Sequence, residues 1–360
     1  NEPTEAGGEG TRKILELASS CGPRDLCLVL ISGGGSALMP APAKGVTLKV
    51  KQQVTRQLML SGATINELNC VRKHLSDIKG GRLAIAARRA GRIVSLIISD
   101  VVGDPLDVIA SGPTVQDLST SQDAYEVLNR FGGGHPVFAE YTLSIVQARL
   151  LLIAQNLEQG RRDSGAEMAG EDSKSFPDQV RNFVIGNNDV ALTAAAQEAL
   201  YRGYAVYSLG SENEGDADDQ GRALARLGLR ILESHEPVAP PACVLSGGEP
   251  TVSFVPTEQP RKGGRNQQLA LSALIELSEA DLEKIVVISG GTDGEDGPTD
   301  AAGAIADANV LNKANQLGLE PAKFRDIQNA YPFFEATDGL LKTGPTNTNV
   351  MDLRIMLVGE

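Results

Sequence analysis

Three apolar runs of this 360-residue chain end in Ser-Gly-Gly, at Ser32–Gly35, Ser246–Gly248 and Ser289–Gly291. Glycines placed after a strand let the backbone approach an anion and turn N–H groups towards it. Ligands of open α/β sheets collect outside the carboxyl ends of strands. The fullest of the three, Ser32, Gly33, Gly34, Gly35 and Ser36, is the candidate phosphate cradle. A tight strand-to-helix turn has the same requirement for glycine, so the triplet alone leaves both readings open. Familiar fingerprints fail here. There is no G-x4-G-K-[ST], the run Gly33–Leu38 does not satisfy GxGxxG, and Leu38 stands where a GxSxG elbow needs Gly.

Cations gather against the overall charge. Arg72, Lys73, Lys79 and Arg82 fall within eleven residues, with His74 among them, and the last two flank Gly80-Gly81. Such a cluster suits a phosphate or carboxylate, or else forms a solvated helix face; Lys73 and Lys79 are the candidates. Asp100, Asp104 and Asp107 follow the next apolar run. Ser111 opens a rigid Ser-Gly-Pro-Thr turn; Asp100 and Ser111 join the candidate binding set. Glu249 follows the second glycine triplet. Arg265 and Asn266 open a helical stretch after Gly263-Gly264. The helix macrodipole disfavours a cation there, by roughly 0.3–1 kcal/mol, so Arg265 is expected to have an anionic partner. Asp293, Asp296 and Asp300 follow the third triplet and are candidate Mg²⁺ carboxylates. Glu295 breaks the alternate-acid spacing of a Ca²⁺ loop. Asn347, in Gly344–Asn349, offers an amide to a polar ligand.

Glycine turns, scattered cations and strand-end carboxylates together describe phosphoryl transfer, which depends on positioning and charge neutralisation rather than on a protein nucleophile. In this reading Arg265, Asp293 and Glu249 are catalytic. Three histidines at no metal spacing argue against a zinc site or a Ser-His-Asp triad. A formal charge of −13 disfavours nucleic acid and anionic membranes as partners. No apolar run reaches the ~18 residues of a membrane span. The absence of Trp argues against an aromatic sugar or peptide cage. Cys21, Cys27, Cys70 and Cys243 form no CxxC pair and read as free thiols. The opening segment, polar and acidic, is expected to be neither signal nor transit peptide.

These residues need a scaffold of short strands and helices. Strands are expected at Leu26–Ile31 (buried on both faces), Arg92–Ser99, Asn182–Asn187, Tyr204–Leu209, Ala242–Ser246, Thr251–Val255, Lys284–Ser289 and Asp352–Val358. Helices are expected at Leu48–Ser61, Arg72–Arg88, Asp123–Phe131 with a stop at Gly132–Gly134, Asp189–Leu200, Asp219–Glu233 and Asn266–Leu277. The alternation predicts an α/β fold with mostly parallel sheets. Residues 1–175 would form a first domain, including a polar loop near 159–179, and 182–360 a second.

The blocks Leu30–Leu38, Val71–Arg82, Ser99-Asp100 with Ala110–Thr114, Leu245–Glu249, Gly263–Gln267, Gly291–Gly294 with Asp296–Ala301, and Thr343–Thr346 with Asn349–Leu353 occur in one order along the chain. In them the chain resembles the MOFRL-containing glycerate kinases, of the animal type. The resemblance implies ATP-dependent phosphorylation of D-glycerate with Mg²⁺, giving 2-phosphoglycerate. It implies two α/β domains around a cleft, the first Rossmann-like and the second carrying the MOFRL segment at about 240–356. The family's functional arginine corresponds to Arg265. A family lysine considered catalytic lies in an N-terminal portion with no counterpart here. The chain is therefore expected to be truncated, with an exposed edge on its first sheet, and the alternative to a kinase is a non-catalytic binding or interaction module. Gln268 and Pro250 depart from the common Glu and Thr. A cytoplasmic or mitochondrial location and a homodimer complete the expectations.

Overall fold

The computed structural model describes residues 3–131, 142–163, 176–253 and 258–359, without side chains at 142–143 and 157–163. The expected helix stop at Gly132–Gly134, the part of the polar loop from 164 to 175, and the end of the expected strand at Phe254-Val255 lie outside the described residues. The chain divides into two compact units: residues 1–97 with 105–185, and residues 98–104 with 186–360.

The first unit holds a three-stranded sheet, β1 (Leu26–Ile31), β2 (Arg92–Ile98) and β3 (Val180–Gly186), in the order β1-β2-β3. β1 and β2 are parallel, registered from Leu26↔Arg92 to Ile31↔Ile97. Its helices are α1 (Glu5–Ser20), α2 (Gly35–Leu38), α3 (Leu48–Leu60), α4 (Ile65–His74), α5 (Arg82–Ala86), α6 (Ser121–Phe131) and α7 (Thr142–Asp163). One sheet face packs Ile93 with Ala18, Leu83, Ala84 and Ala87. On the other face Leu26, Leu28 and Leu30 are 58%, 53% and 73% exposed. β1 is thus apolar on both faces but covered on one, and the expectation of double burial is corrected. The single helix expected over Arg72–Arg88 is two, α4 and α5. Gly80 and Gly81, at φ +57° and +79°, turn the chain between them. α7 extends to Asp163, into the expected polar loop. A separate core joins α3, α4, α6 and α7 through Val54, Leu58, Val71, Leu128 and Leu152.

The second unit is a six-stranded sheet with helices on both faces. Its strands are β4 (Ala205–Ser208), β5 (Ala242–Gly248), β6 (Ile285–Gly291), β7 (Gly303–Ala306), β8 (Leu340–Leu341) and β9 (Asp352–Val358), in the order β4-β5-β9-β6-β7-β8. Its helices are α8 (Asn188–Tyr201), α9 (Ala217–Ser234), α10 (Arg265–Glu276), α11 (Glu279–Leu282), α12 (Ala308–Leu317), α13 (Pro321–Asp326) and α14 (Ala330–Ala336). α9 and α10 cover one face, burying Leu224, Ile231, Leu269 and Leu274 against Val244, Val287 and Met356. α8 covers the other through Leu192 and Ala199. The α/β class holds, but this sheet is not mostly parallel. β4 and β5 are parallel, whereas β9 inserts antiparallel between β5 and β6, and β7 is antiparallel to β6. Alternating strands and helices do not encode the direction of a strand that closes the chain. The strand expected at Thr251–Val255 is, where described, one bridge from Thr251 to Asp216.

The insertion of β9 positions the site. Its register sets Asp352 opposite both Gly248 and Gly291, and Arg354 opposite both Ser246 and Ser289. Two of the three glycine triplets therefore flank one pair of buried charges. No described helix is long and apolar enough to cross a membrane, and all four cysteines are free.

Candidate active site

In the second unit the site forms where α10 begins. Gly264 is its N-cap and offers no side chain to the exposed N–H groups. The Asp296 carboxylate supplies the cap instead. Its oxygens accept from the backbone N–H of Asn266 at 3.0 Å and of Gln267 at 2.8 Å. A Cβ on Gly264 would lie 2.3 Å from Asp296 Cγ and Oδ1, so only glycine admits this cap. Burial pushes the Asp296 carboxyl up to about 6, against the pull of the two N–H groups. Asn266 is structural as well: it is buried, and its Oδ1 accepts from Ser289 Oγ at 2.6 Å.

Arg265, the first residue of α10, has the anionic partners that its position demands. Its Nε and Nη2 donate to the two oxygens of Asp352 at 2.6 and 3.1 Å, and Nη1 donates to Glu249 at 2.7 Å. Burial pulls its pKa down, but the bonds to Asp352 and Glu249 outweigh this and hold it above the ordinary value. Asp352 and Arg354 are each 1% exposed. Arg354 Nη2 donates to Asn213 O at 3.3 Å, and burial lowers its pKa to about 10. Arg265, Gly263, Gly264, Asp293 and Asp296 line a cavity of about 480 Å³.

The three candidate Mg²⁺ carboxylates do not assemble into one ligand set. Among the described residues no group of three His, Cys, Asp or Glu is placed to hold a metal. Asp296 is spent on the helix cap. Asp300 accepts from Tyr331 and Lys342 at 2.6 and 2.8 Å, bonds that hold its carboxyl down to about 2, those from Lys342 most strongly. Asp293 remains, half-buried at the cavity, with one oxygen accepting from Glu295 N at 3.0 Å. Asp100 belongs to this unit, where Asn349 Nδ2 reaches it at 3.5 Å and burial raises its pKa. Asn347 is exposed, with φ 61°.

The first unit holds the other candidates. Lys79, 1% exposed, donates to Ser36 O at 2.7 Å and to Ser36 Oγ at 2.5 Å. Arg72 also donates to Ser36 Oγ, which lies 3.0 Å from Ser111 Oγ. Burial drives the Lys79 pKa well down, and the charges of Arg72 and Lys51 add to this. Gly34 caps α2 at φ +77°, while Ser32 is exposed and Gly33 and Gly35 are half-buried beside it. Lys73 faces elsewhere, pairing with Asp107 at 3.3 Å and Asp117 at 3.8 Å.

Sequence reasoning passed over Asp352, Arg354 and Lys51. The first two carried a readable signal: charges two apart in the apolar strand DLRIMLV share one face. Lys51 carried none, lying between Val50 and Val54 in an ordinary amphipathic helix.

A clamped arginine beside strand-end glycines and a buried cation cluster define an α/β enzyme built for anionic reactants. Residues 1–140 match the domain of unknown function DUF4147, and residues 242–352 match the MOFRL family. A "Glycerate 2-kinase" of Pyrococcus horikoshii is 38% identical over 99% of this chain and 76% of its own. A "Putative hydroxypyruvate reductase" of Agrobacterium vitis is 41% identical over 99% and 75%. The crystal structure of a glycerate kinase from Thermotoga maritima superposes with a TM-score of 0.85 at 36% identity, over 99% of this chain and 78% of that one. The chain belongs to the MOFRL-containing glycerate kinase family.

Proposed function

We propose that this chain transfers the terminal phosphoryl group of ATP to a hydroxyl of D-glycerate, giving 2-phosphoglycerate. The observation that carries this reading is Arg265, held by Asp352 and Glu249 at the edge of the cavity it shares with Asp293. A guanidinium fixed in advance of the reaction stabilises charge on a transferring phosphoryl group without reorganising. Support for the 2-position comes from relatives named glycerate 2-kinases in Pyrococcus horikoshii and Thermotoga maritima.

Arg265 takes the developing charge, and Glu249 and Asp352 aim its guanidinium. Lys79, with the Ser32–Ser36 turn and Ser111, binds an anionic group of the reactants. Mg²⁺ commonly takes only one or two protein carboxylates beside substrate phosphates. Of the three candidate carboxylates Asp293 fits that demand, and the ion would neutralise phosphate charge when bound. The name reductase belongs to the Agrobacterium relative; a nicotinamide reading here finds no GxGxxG to rest on.

The test is to incubate the chain with ATP, Mg²⁺ and D-glycerate and to read the product by phosphorus NMR. A resonance of 2-phosphoglycerate is expected. Phosphorylation at the 3-position would overturn the regiochemistry. NADH-dependent reduction of hydroxypyruvate with no phosphoryl transfer would overturn the kinase reading.

A further inference from the structure

In the first unit the hydrogen bonds around Ser36 run in one direction. Ser36 Oγ accepts from Arg72 and from Lys79, so its own proton points to Ser111 Oγ. Ser111 in turn donates to Asn69 Oδ1 at 3.4 Å. Lys79 also donates to Ser111 Oγ at 3.4 Å, so its three N–H groups all have acceptors. Lys51 is outside these bonds. Its Nζ is buried with no hydrogen-bond partner, and the residue is only 5% exposed. The charges that act on it are Arg72 from α4, Arg82 from α5 and Lys79 from the intervening loop, opposed by the carboxylate of Asp77. A buried ammonium with no acceptor is expensive, and three neighbouring cations make it more so. The cluster has donors in excess, and the piece it lacks is an anionic acceptor.

We infer that Lys51, Arg72 and Lys79, with the hydroxyls of Ser36 and Ser111, form a binding site for a phosphate dianion. The inference deepens the kinase reading, in which this cluster handles an anionic group of the reactants, and it assigns that group as phosphoryl rather than carboxylate. Two negative charges match a cluster of two hydrogen-bonded basic groups and a third whose Nζ has no hydrogen-bond partner. Burial, aided by Arg72 and Arg82, lowers the Lys51 pKa to about 7, so at pH 8 the free protein holds it mostly neutral. An arriving dianion favours the charged form. One proton then passes from solvent to Lys51 Nζ as phosphate binds.

Calorimetric titration of the chain with inorganic phosphate at pH 8, in Tris and in HEPES, tests this. Binding is expected with net proton uptake, seen as a heat that depends on the buffer. Lys51→Met, checked for a cooperative melt, is expected to bind phosphate about tenfold more weakly or worse, as for loss of one charge-assisted hydrogen bond, and to take up fewer protons than the unsubstituted chain. No binding, binding without proton uptake by the unsubstituted chain, or unchanged binding by Lys51→Met would each overturn the site. So would proton-coupled binding of D-glycerate in place of phosphate. Failure here with 2-phosphoglycerate still formed removes the Lys51 site alone. Proton-coupled phosphate binding with no product removes the kinase reading alone.

Discussion

Asp352 grips Arg265 with both oxygens, at 2.6 Å to Nε and 3.1 Å to Nη2, although 87 residues separate them in sequence. The grip is buried at the Asp352 end and leaves the outer guanidinium edge towards Glu249 and the cavity. Replacing Arg265 with Ala is expected to lower kcat/KM for glycerate phosphorylation by about 30-fold or more. That corresponds to at least ~2 kcal/mol of transition-state stabilisation, as for loss of one strong oxyanion donor. A near-normal kcat/KM in a variant that folds would remove Arg265 from the chemistry.

The two carboxylates on Arg265 are not equivalent. Asp352 is 1% exposed and bidentate, whereas the Glu249 side chain is 45% exposed and holds one nitrogen. Exposed pairs are worth about 0–1 kcal/mol, while breaking a buried one costs several. Asp352→Asn is therefore expected to reduce kcat about 10- to 100-fold, by loosening the guanidinium. Glu249→Gln is expected to change it less than about fivefold. Steady-state kinetics of the two variants decide the order, and a larger loss in Glu249→Gln reverses the proposed roles.

The limits of sequence reading are visible in the same residues. A cation at the first turn of α10 already called for an anionic partner. Which carboxylate answers depends on β9 inserting between β5 and β6, a pairing set by tertiary packing. β9 itself, Asp352–Val358, was legible as a short apolar run; its antiparallel direction was not, since direction leaves no mark on composition. The apolar run of β1 read as doubly buried because Leu26, Leu28 and Leu30 are indistinguishable in type from core leucines. Arg72 to Arg88 read as one helix because its spacing is helical on both sides of Gly80-Gly81.

The cap on α10 ties stability to the site. Gly264→Ala would drive a methyl group into Asp296, displacing the acceptor of two N–H groups. A loss of about 2–3 kcal/mol is expected from overpacking and the lost cap. The Asp296 pKa, raised to about 6 from roughly 4 when unfolded, means that folding favours its protonated form. Its contribution is fully present below about pH 4 and fades as pH rises through about 6, by about 2–3 kcal/mol. Asp296→Asn does not titrate, so the stability difference between wild type and this variant is expected to change across that window. Denaturant unfolding at intervals from pH 4 to 7 measures it; a difference independent of pH would mean that Asp296 ionises normally.

Lys51 sets function against stability. Its folded pKa of about 7 lies below the roughly 10.4 of the unfolded chain, so folding favours the neutral amine. Stability gained from that preference is present above about pH 10 and is lost as pH falls through about 7. At pH 6 the folded chain carries a buried ammonium with no hydrogen-bond partner, and Lys51→Met replaces it with an apolar chain of similar length. The variant is expected to be more stable than wild type by about 2 kcal/mol or more at pH 6, with the advantage shrinking towards pH 10. Unfolding by denaturant at both pH values checks the sign. The same variant is the one expected to bind phosphate poorly, and a residue kept only for packing would not combine those two outcomes. A Lys51→Met chain that is less stable at pH 6 would show that Asp77 compensates the buried ammonium in the folded protein.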